Sequence, residues 1–146
     1  MKQPVFEGLA TAIVTPFRNG TIDIPTFEKL LDAQLAANVD AIVVCGTTGE
    51  SATLIAHAMQ YTAGRCKIIA GTGSNDTAHA IDLSRAASSM GVSAVLIVTP
   101  YYNKCTQSGL IAHYEAIADA IACPVICYNV PSRTGLDLKL ETCQAL

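Results

Sequence analysis

Short apolar runs alternate with longer amphipathic segments along the whole chain. The runs are rich in Val, Ile and Ala, and most of them stop at a proline or a glycine, which is typical of strands buried in a parallel sheet. They predict five β-strands, over residues 8–15, 40–45, 67–71, 93–99 and 124–129. Because the segments between them carry apolar residues at helical spacing, the sequence predicts a series of βα units.

The residues at the segment ends indicate where the helices begin and end. Pro25 suits the first turn of a helix that begins at residues 23–25, and Gly91 suits the end of a helix predicted over 77–90. Further helices are predicted over 51–63 and 107–122, and a fifth begins after Gly135. Asn19-Gly20, just after the first strand, predicts a turn.

Five strands that alternate strictly with helices predict a parallel sheet with right-handed crossovers. An open doubly wound sheet and part of a (β/α)₈ barrel both satisfy this order, and hydrophobic periodicity does not choose between them. A complete barrel has eight strands in typically about 250 residues, whereas this sequence of 146 residues has five predicted strands.

The composition is that of an α/β domain with a large core, since 51% of the residues are hydrophobic and 14% are charged. The net charge is −3 and the basic residues are scattered, which argues against a nucleic-acid partner. No apolar run is long enough to span a membrane, and the first residues lack the apolar core of a signal peptide. The sequence therefore predicts a cytoplasmic protein without a membrane partner.

Cysteine and histidine give no sign of a disulfide framework or a metal site. The six cysteines include no CxxC pair, so we expect reduced thiols that mostly fill the core. His57, His79 and His113 fall on different predicted helices without the spacing of metal ligands.

The segment Gly46-Thr47-Thr48-Gly49-Glu50-Ser51 directly follows the second predicted strand. Ligands in parallel α/β proteins bind beyond the carboxyl ends of the strands. The glycines allow the backbone N–H groups to approach an anion, the threonine hydroxyls add uncharged donors, and the helix that follows contributes unpaired N–H groups. This combination suits a small carboxylate, although a plain strand-to-helix turn explains the same residues.

Two further segments follow strands four and five, and all three should lie on one face of the sheet. The first contains Tyr101, Tyr102 and Lys104, and the second contains Tyr128 and Arg133. A tyrosine phenol can transfer a proton or hold an oxyanion, and an arginine can bind a carboxylate with two parallel hydrogen bonds. Residues 71–75 lack the glycine pattern of a nucleotide-binding loop, so a tight turn is expected there.

These segments, together with residues 11–17, resemble the dihydrodipicolinate synthase (4-hydroxy-tetrahydrodipicolinate synthase) family of pyruvate-dependent class I aldolases. The resemblance extends from about Gly8 to about Leu140, with four motifs in the family's order. It implies the (β/α)₈ barrel, of which residues 1–146 would be the N-terminal part of one domain, with five βα units and an end before the sixth strand. It also implies pyruvate and aspartate semialdehyde as substrates, a place in diaminopimelate and lysine biosynthesis, no cofactor, and a homo-oligomer.

The resemblance also implies roles for individual residues. Thr47 and Thr48 would hold pyruvate, and Thr48 would join a proton relay with Tyr128 and with Tyr102 from a neighbouring subunit. Arg133 would bind the carboxylate of aspartate semialdehyde. The residues that match the family's lysine-binding effector site are Ser51, Ala52, Asn75, His79 and Tyr101.

Two departures from the family pattern affect the expected activity. The family forms a Schiff base through a lysine on the sixth strand, and no residue here matches it, so the chain alone is expected to be inactive. The helix after Glu50 is about two turns shorter than the family's, and His79 replaces an acidic residue, so feedback inhibition by lysine is not expected. Two alternatives stay open: another pyruvate aldolase, such as an N-acetylneuraminate or keto-sugar-acid lyase, and a non-catalytic half-barrel.

Overall fold

A curved sheet of five parallel strands forms the centre of the computed structural model, which describes residues 4–46 and 51–146. In chain order the strands of this sheet are β1 (Ala10–Ala12), β4 (Ala41–Val44), β5 (Lys67–Gly71), β6 (Ala94–Val98) and β7 (Val125–Tyr128). They also lie in this order across the sheet, so each βα unit adds one strand beside the previous one. The predicted parallel sheet is confirmed.

Six helices connect or follow these strands, and one small hairpin precedes the first helix. The hairpin pairs β2 (Phe17–Arg18) with β3 (Thr21–Ile22) in antiparallel orientation. The helices are α1 (Ile24–Ala36), α2 (Ser51–Thr62), α3 (Thr77–Ser89), α4 (Gln107–Ala118), α5 (Pro131–Thr134) and α6 (Leu140–Ala145).

The core has two layers, and their composition distinguishes a barrel segment from a doubly wound sheet. Alternate strand residues such as Ile42, Val44, Ile68 and Ile97 pack with the helices in the larger layer. The residues between them form a second cluster, in which Ala41, Ile69 and Ala94 are buried together with strand neighbours and the N-terminal segment. No helical residue belongs to this second cluster within the described part of the chain. The helices therefore cover one face, as in half of a (β/α)₈ barrel.

Side-chain caps begin three of the helices. The Asp23 carboxylate accepts a hydrogen bond from the backbone N–H of Thr26, and Asp76 accepts one from the N–H of Ala78 at 2.9 Å. Thr106 caps α4 through the N–H of Gly109. At the other end of α3, Gly91 has φ +82° and donates its N–H to the carbonyl of Ser88. The predicted glycine cap is thus confirmed, because φ in this range favours glycine.

Several predicted boundaries were wrong. The first strand was predicted over 8–15, but β1 has three residues, because the chain leaves the sheet after Ile13 donates its N–H to the carbonyl of Val43. The helix predicted to residue 122 ends at Ala118, where Ala120 and Ile121 bond to carbonyls three residues back and so tighten the last turn. The turn at Asn19-Gly20 is confirmed, but the strands around it were not predicted.

None of the six cysteines forms a disulfide. No helix within residues 4–46 and 51–146 is long and apolar enough to cross a membrane.

A buried histidine at the contact of α3 and α4 should make stability depend on pH. His113 is 4% exposed, its Nδ1 lies 2.9 Å from the Thr77 hydroxyl, and its Nε2 is buried without a hydrogen-bond partner. Burial lowers the pKa of His113 below its ordinary value of 6.5. The unfolded chain therefore takes up a proton at a higher pH than the folded chain does.

We expect the free energy of unfolding to decrease as the pH falls from about 7 through 6.5 toward the folded pKa of His113. Between the unfolded and the folded pKa the slope should approach about 1.4 kcal/mol per pH unit. Urea unfolding at several pH values between about 5 and 8 should give a shallower dependence for His113→Asn, which keeps a polar group at the Nδ1 position. His79→Asn is the matched control, because His79 is exposed. Equal slopes in all three proteins would contradict the prediction.

Candidate active site

The carboxyl ends of β4, β5, β6 and β7 surround a cavity of about 480 Å³. The cavity lining brings together residues from the segments after all four strands, including Gly46, Gly71, Tyr101, Tyr128 and Arg133. The sequence predicts three of these segments on one face of the sheet, and the structure confirms that they converge. Such a position is where (β/α)₈ and other parallel α/β folds bind ligands.

Two glycines, Gly71 at the end of β5 and Gly73 just after it, allow the segments that line the cavity to approach closely. A Cβ on Gly71 would lie 2.1 Å from the carbonyl oxygen of Cys45, and one on Gly73 would lie 2.6 Å from the backbone nitrogen of Val98. Residues 72–74 form no turn, so the tight turn expected at 71–75 was wrong. The glycines are needed because backbone atoms of the segment after β4 and of β6 occupy the space that a side chain would fill.

Tyr128 is the last residue of β7 and lies beside the end of β6. It is paired in register with Val98, and its carbonyl accepts a hydrogen bond of 3.0 Å from the backbone N–H of Thr99. Its side chain is half-buried and lines the cavity. The sheet therefore fixes the backbone of this tyrosine while the cavity gives its phenol access to a ligand.

Arg133 lies on α5, a four-residue helix that the sequence did not predict. The helix follows β7 after two residues and ends at Gly135, which has φ +70° and donates its N–H to the carbonyl of Pro131. Arg133 is exposed and lines the cavity. Its side chain makes no hydrogen bond or ion pair to another described residue, so the guanidinium can receive a ligand.

The charge of the lining favours an anionic ligand. Arg133 and His79 are its basic side chains, and no aspartate or glutamate is found among the described residues that line the cavity. Carboxylates pair with arginine through charge-assisted hydrogen bonds, and no carboxylate of the described lining competes for Arg133. Small carboxylic acids therefore fit this cavity better than cationic ligands do.

The remaining residues predicted to hold pyruvate or to relay a proton are Thr47, Thr48 and Tyr102. Thr47 and Thr48 lie outside the described residues. Tyr102 has φ +72°, its side chain is 90% exposed, and it does not line the cavity. Within this single chain, Tyr128 and Arg133 are therefore brought together, and Tyr102 is not.

The predicted effector residues are only partly clustered. His79 and Tyr101 line the same cavity as Tyr128. Asn75 instead contacts the loop after β6, because its carbonyl accepts a hydrogen bond of 2.9 Å from the side chain of Asn103. Ala52 is exposed on α2. Ser51 is the first residue of that helix.

No lysine of the described residues lines the cavity. Lys67 begins β5 at the opposite end of the sheet, where its ammonium donates to the carbonyl of Val5. Lys104 follows β6 and is exposed, Lys29 lies on α1, and Lys139 precedes α6. The described part of the chain therefore offers no buried amine that could form an imine in this cavity.

A second cavity, of about 530 Å³, lies at the amino ends of β5 and β6. It is slightly larger, and its lining includes Asp40, Arg65 and Lys67. Parallel α/β folds bind their ligands at the other end of the sheet. We therefore assign the candidate site to the cavity that contains Tyr128 and Arg133.

Sequence reasoning missed two buried threonines beside the site. Thr99 is 0% exposed and Thr134 is 5% exposed, and their hydroxyls lie 3.1 Å apart. The only signal in the sequence was their position, Thr99 at the end of the fourth predicted strand and Thr134 next to Arg133. Their pairing depends on the distance between two segments that are 35 residues apart in the chain.

Comparison with known proteins identifies one family. A family model described as "Dihydrodipicolinate synthetase family" matches residues 5–146. The 4-hydroxy-tetrahydrodipicolinate synthase of Trichlorobacter lovleyi is 53% identical over 146 residues, which cover 94% of this chain and 50% of that enzyme. The synthase of Exiguobacterium sibiricum is 48% identical over 151 residues, which cover 97% and 52%. The chain spans about half the length of the curated relatives it matches.

Solved structures agree with the sequence relatives. The 4-hydroxy-tetrahydrodipicolinate synthase of Methylacidiphilum fumariolicum SolV superposes with a TM-score of 0.93 at 43% identity, covering 95% of this chain and 49% of that one. The dihydrodipicolinate synthase of Acinetobacter baumannii, described as chloride inhibited and complexed with pyruvate, gives a TM-score of 0.89 at 45% identity and covers 92% and 50%. The described strands thus correspond to part of these enzymes' barrel.

Proposed function

The chain belongs to the dihydrodipicolinate synthetase family, and on this basis we propose that its cavity binds pyruvate and aspartate semialdehyde. These are the substrates that the family's synthases condense through a Schiff base in diaminopimelate and lysine biosynthesis. One observation carries the proposal: Tyr128 and Arg133 line one cavity at the strand ends, without a carboxylate among the described lining residues. A relative whose structure holds pyruvate supports it.

The roles of the two residues follow from their chemistry. The exposed guanidinium of Arg133 can hold the carboxylate of aspartate semialdehyde with two parallel hydrogen bonds, which fixes the direction of the aldehyde. The phenol of Tyr128 can donate a proton to the substrate oxygen that leaves as water when an imine forms. The proposal assigns neither role to a metal or a dissociable cofactor; the imine itself needs a lysine amine, which no described residue brings to the cavity.

We further propose that Tyr102 acts in a neighbouring subunit. Its side chain is 90% exposed and lies outside the cavity of its own chain. An exposed tyrosine beside the site can reach a second copy if two chains associate at this end of the barrel. Association as a homo-oligomer, with Thr47 and Thr48 contributing to pyruvate binding, is part of the same proposal.

For the 146-residue chain alone, we propose substrate binding without turnover. The reaction needs a lysine whose amine is partly neutral, which requires desolvation, and no described lysine lines the cavity. This placement favours the carboxylate-binding half-barrel over an active aldolase for the isolated chain. Among the aldolases, Arg133 in the sequence Pro-Ser-Arg-Thr-Gly favours the synthase over sugar-acid lyases.

Borohydride trapping tests this proposal. An imine between pyruvate and a lysine forms with loss of water, and borohydride reduces it to a stable secondary amine that intact mass detects. We expect no adduct and no turnover with the isolated chain, and an adduct with the Trichlorobacter lovleyi synthase treated in the same way. An adduct that peptide mapping places on Lys104 would contradict the proposal of binding without chemistry.

Binding is measured separately, by following the ¹H–¹⁵N resonances of the folded chain during titration with pyruvate. We expect changes that concentrate at residues around the cavity, such as Gly71 and Tyr128. A folded chain whose spectrum does not respond to pyruvate or to aspartate semialdehyde would refute the proposed function.

A further inference from the structure

The short helix α5 has little to stabilise it by itself, yet it carries Arg133. Four residues are far below the length at which a helix persists in water. Val130, the residue before the helix, provides no side-chain cap. The internal bonds of the segment are few: they run from the N–H groups of Arg133, Thr134 and Gly135, and a longer one of 3.3 Å runs from the Thr134 hydroxyl to the carbonyl of Val130. Contacts with the rest of the protein must therefore hold the helix in place.

A buried hydrogen bond between Thr99 and Thr134 connects α5 to the end of the sheet. Thr99, the residue after β6, donates its hydroxyl hydrogen bond to the Thr134 hydroxyl at 3.1 Å. The Thr134 hydroxyl in turn donates to the carbonyl of Leu136 at 3.0 Å. Since both threonines are almost fully buried, water cannot replace these bonds. The backbone of Thr99 is itself fixed by its bond to the carbonyl of Tyr128.

At the surface, the Asn129 side chain connects the residue after β7 to residues 137 and 138, which follow α5. The Asn129 side chain donates to the Asp137 carboxylate at 2.8 Å and accepts from the N–H of Leu138 at 3.1 Å. All of these groups except Leu138 are exposed, so water competes with the bonds that Asn129 makes. Leu136 and Leu138, which follow α5, are buried in the core and hold the chain after the helix. Among the described residues, the Thr99–Thr134 pair is the buried side-chain hydrogen bond that joins α5 itself to the end of β6.

We infer that Thr99 is a positioning residue for Arg133. Through the Thr134 hydroxyl it holds α5 at the end of β6, so that the guanidinium stands beside the Tyr128 phenol when a carboxylate binds. The role of Arg133 as a carboxylate ligand rests on the proposed function, whereas the anchoring of α5 by Thr99 does not. The two parts can be tested separately.

The anchoring is measured without a ligand. In Thr99→Val the shape is kept and the hydroxyl is lost, so amide hydrogen exchange at Arg133, Thr134 and Gly135 should become about five- to tenfold faster, the factor that one buried hydrogen bond carries. Thr99→Ser keeps the hydroxyl and should restore slow exchange. Thr62→Val is the matched control, because Thr62 is equally buried and its hydroxyl bonds to the carbonyl of Ala58 in α2, away from the site.

Unchanged exchange in Thr99→Val, or equal acceleration in Thr99→Val and Thr62→Val, would overturn the anchoring. Faster exchange confined to 133–135 in Thr99→Val, with normal exchange in Thr99→Ser, would support it.

The effect on the ligand is measured with succinic semialdehyde, which keeps the carboxylate and aldehyde of the proposed second substrate. Titration is followed at the backbone amide resonances of residues around the cavity, such as Gly71 and Tyr128, which every variant retains. We expect Thr99→Val to weaken the binding of succinic semialdehyde about five- to tenfold. Thr99→Ser and Thr62→Val should bind it as the unmodified chain does. In a chain that already carries Arg133→Gln, adding Thr99→Val should not weaken binding further.

A further loss in that background would show that Thr99 acts by another route and would overturn the positioning role. If the unmodified chain binds no succinic semialdehyde while exchange responds as expected, the proposed function fails and the anchoring of α5 stands.

Discussion

Replacing Gly71 by alanine should be among the most damaging single changes in this chain, with a loss of about 3 kcal/mol in the free energy of unfolding. The new Cβ would lie 2.1 Å from the carbonyl oxygen of Cys45 and 2.8 Å from the Cα of Gly46. These are backbone atoms at the end of β4, which cannot turn away as a flexible side chain can. The strand ends must separate, and the cavity lining moves with them.

Guanidinium chloride unfolding of Gly71→Ala measures this loss. Gly109→Ala on α4 is the matched control, because its Cβ would come no closer than 3.4 Å to the Thr106 hydroxyl. In a helix, alanine should leave stability unchanged or raise it by up to about 1 kcal/mol. A Gly71→Ala chain as stable as the Gly109→Ala chain would refute the close approach of β5 to the end of β4.

Replacing Arg133 by glutamine should weaken the binding of a carboxylate ligand about tenfold to a hundredfold, since a charge-assisted hydrogen bond is lost. Stability should hardly change, because Arg133 is exposed and makes no hydrogen bond or ion pair to another described residue. Arg133→Lys keeps the charge but not the planar pair of donors, so its affinity for the carboxylate should lie between that of the unmodified chain and that of Arg133→Gln. Titration with succinic semialdehyde measures the affinity of the unmodified chain, of Arg133→Gln and of Arg133→Lys.

Arg85→Gln provides the control for net charge. Arg85 is exposed on α3 and is absent from the cavity lining, so this variant should bind as the unmodified chain does. Equal weakening by Arg85→Gln and Arg133→Gln would mean that only the overall field of the protein attracts the ligand, and it would refute a specific contact at Arg133.

The order of the elements was predictable because strands and helices bury their apolar residues with different periods. The strand predicted over 67–71 is β5 residue for residue, and the helix predicted over 77–90 differs from α3 by one residue. The elements that were missed, α5 and the hairpin of β2 and β3, are too short to show a period. Their conformations depend on contacts elsewhere in the chain.

The candidate site was predictable in part for a similar reason. Tyr128 ends one strand, Arg133 follows it, and Tyr101 follows the neighbouring strand, so the parallel order alone brings them to one end of the sheet. That Tyr102, the next residue, lies outside the cavity of its own chain could not be predicted from spacing, because it depends on a single backbone conformation with φ +72°. Only the family resemblance assigns Tyr102 to a neighbouring subunit, and that role stays a prediction. The roles of Thr47, Thr48 and the homo-oligomer stay predictions.

The sequence by itself determined the order of the βα units, the family, and the segments that meet at the carboxyl ends of the strands. These properties are local, because each depends on residue type and on spacing within a short segment. The helices cover one face, as the family resemblance implied and periodicity did not. Only the tertiary structure decided that Gly71 and Gly73 serve close approach and not a turn, and that Thr99 bonds to Thr134. These features depend on distances between segments far apart in the chain, which side-chain periodicity does not encode.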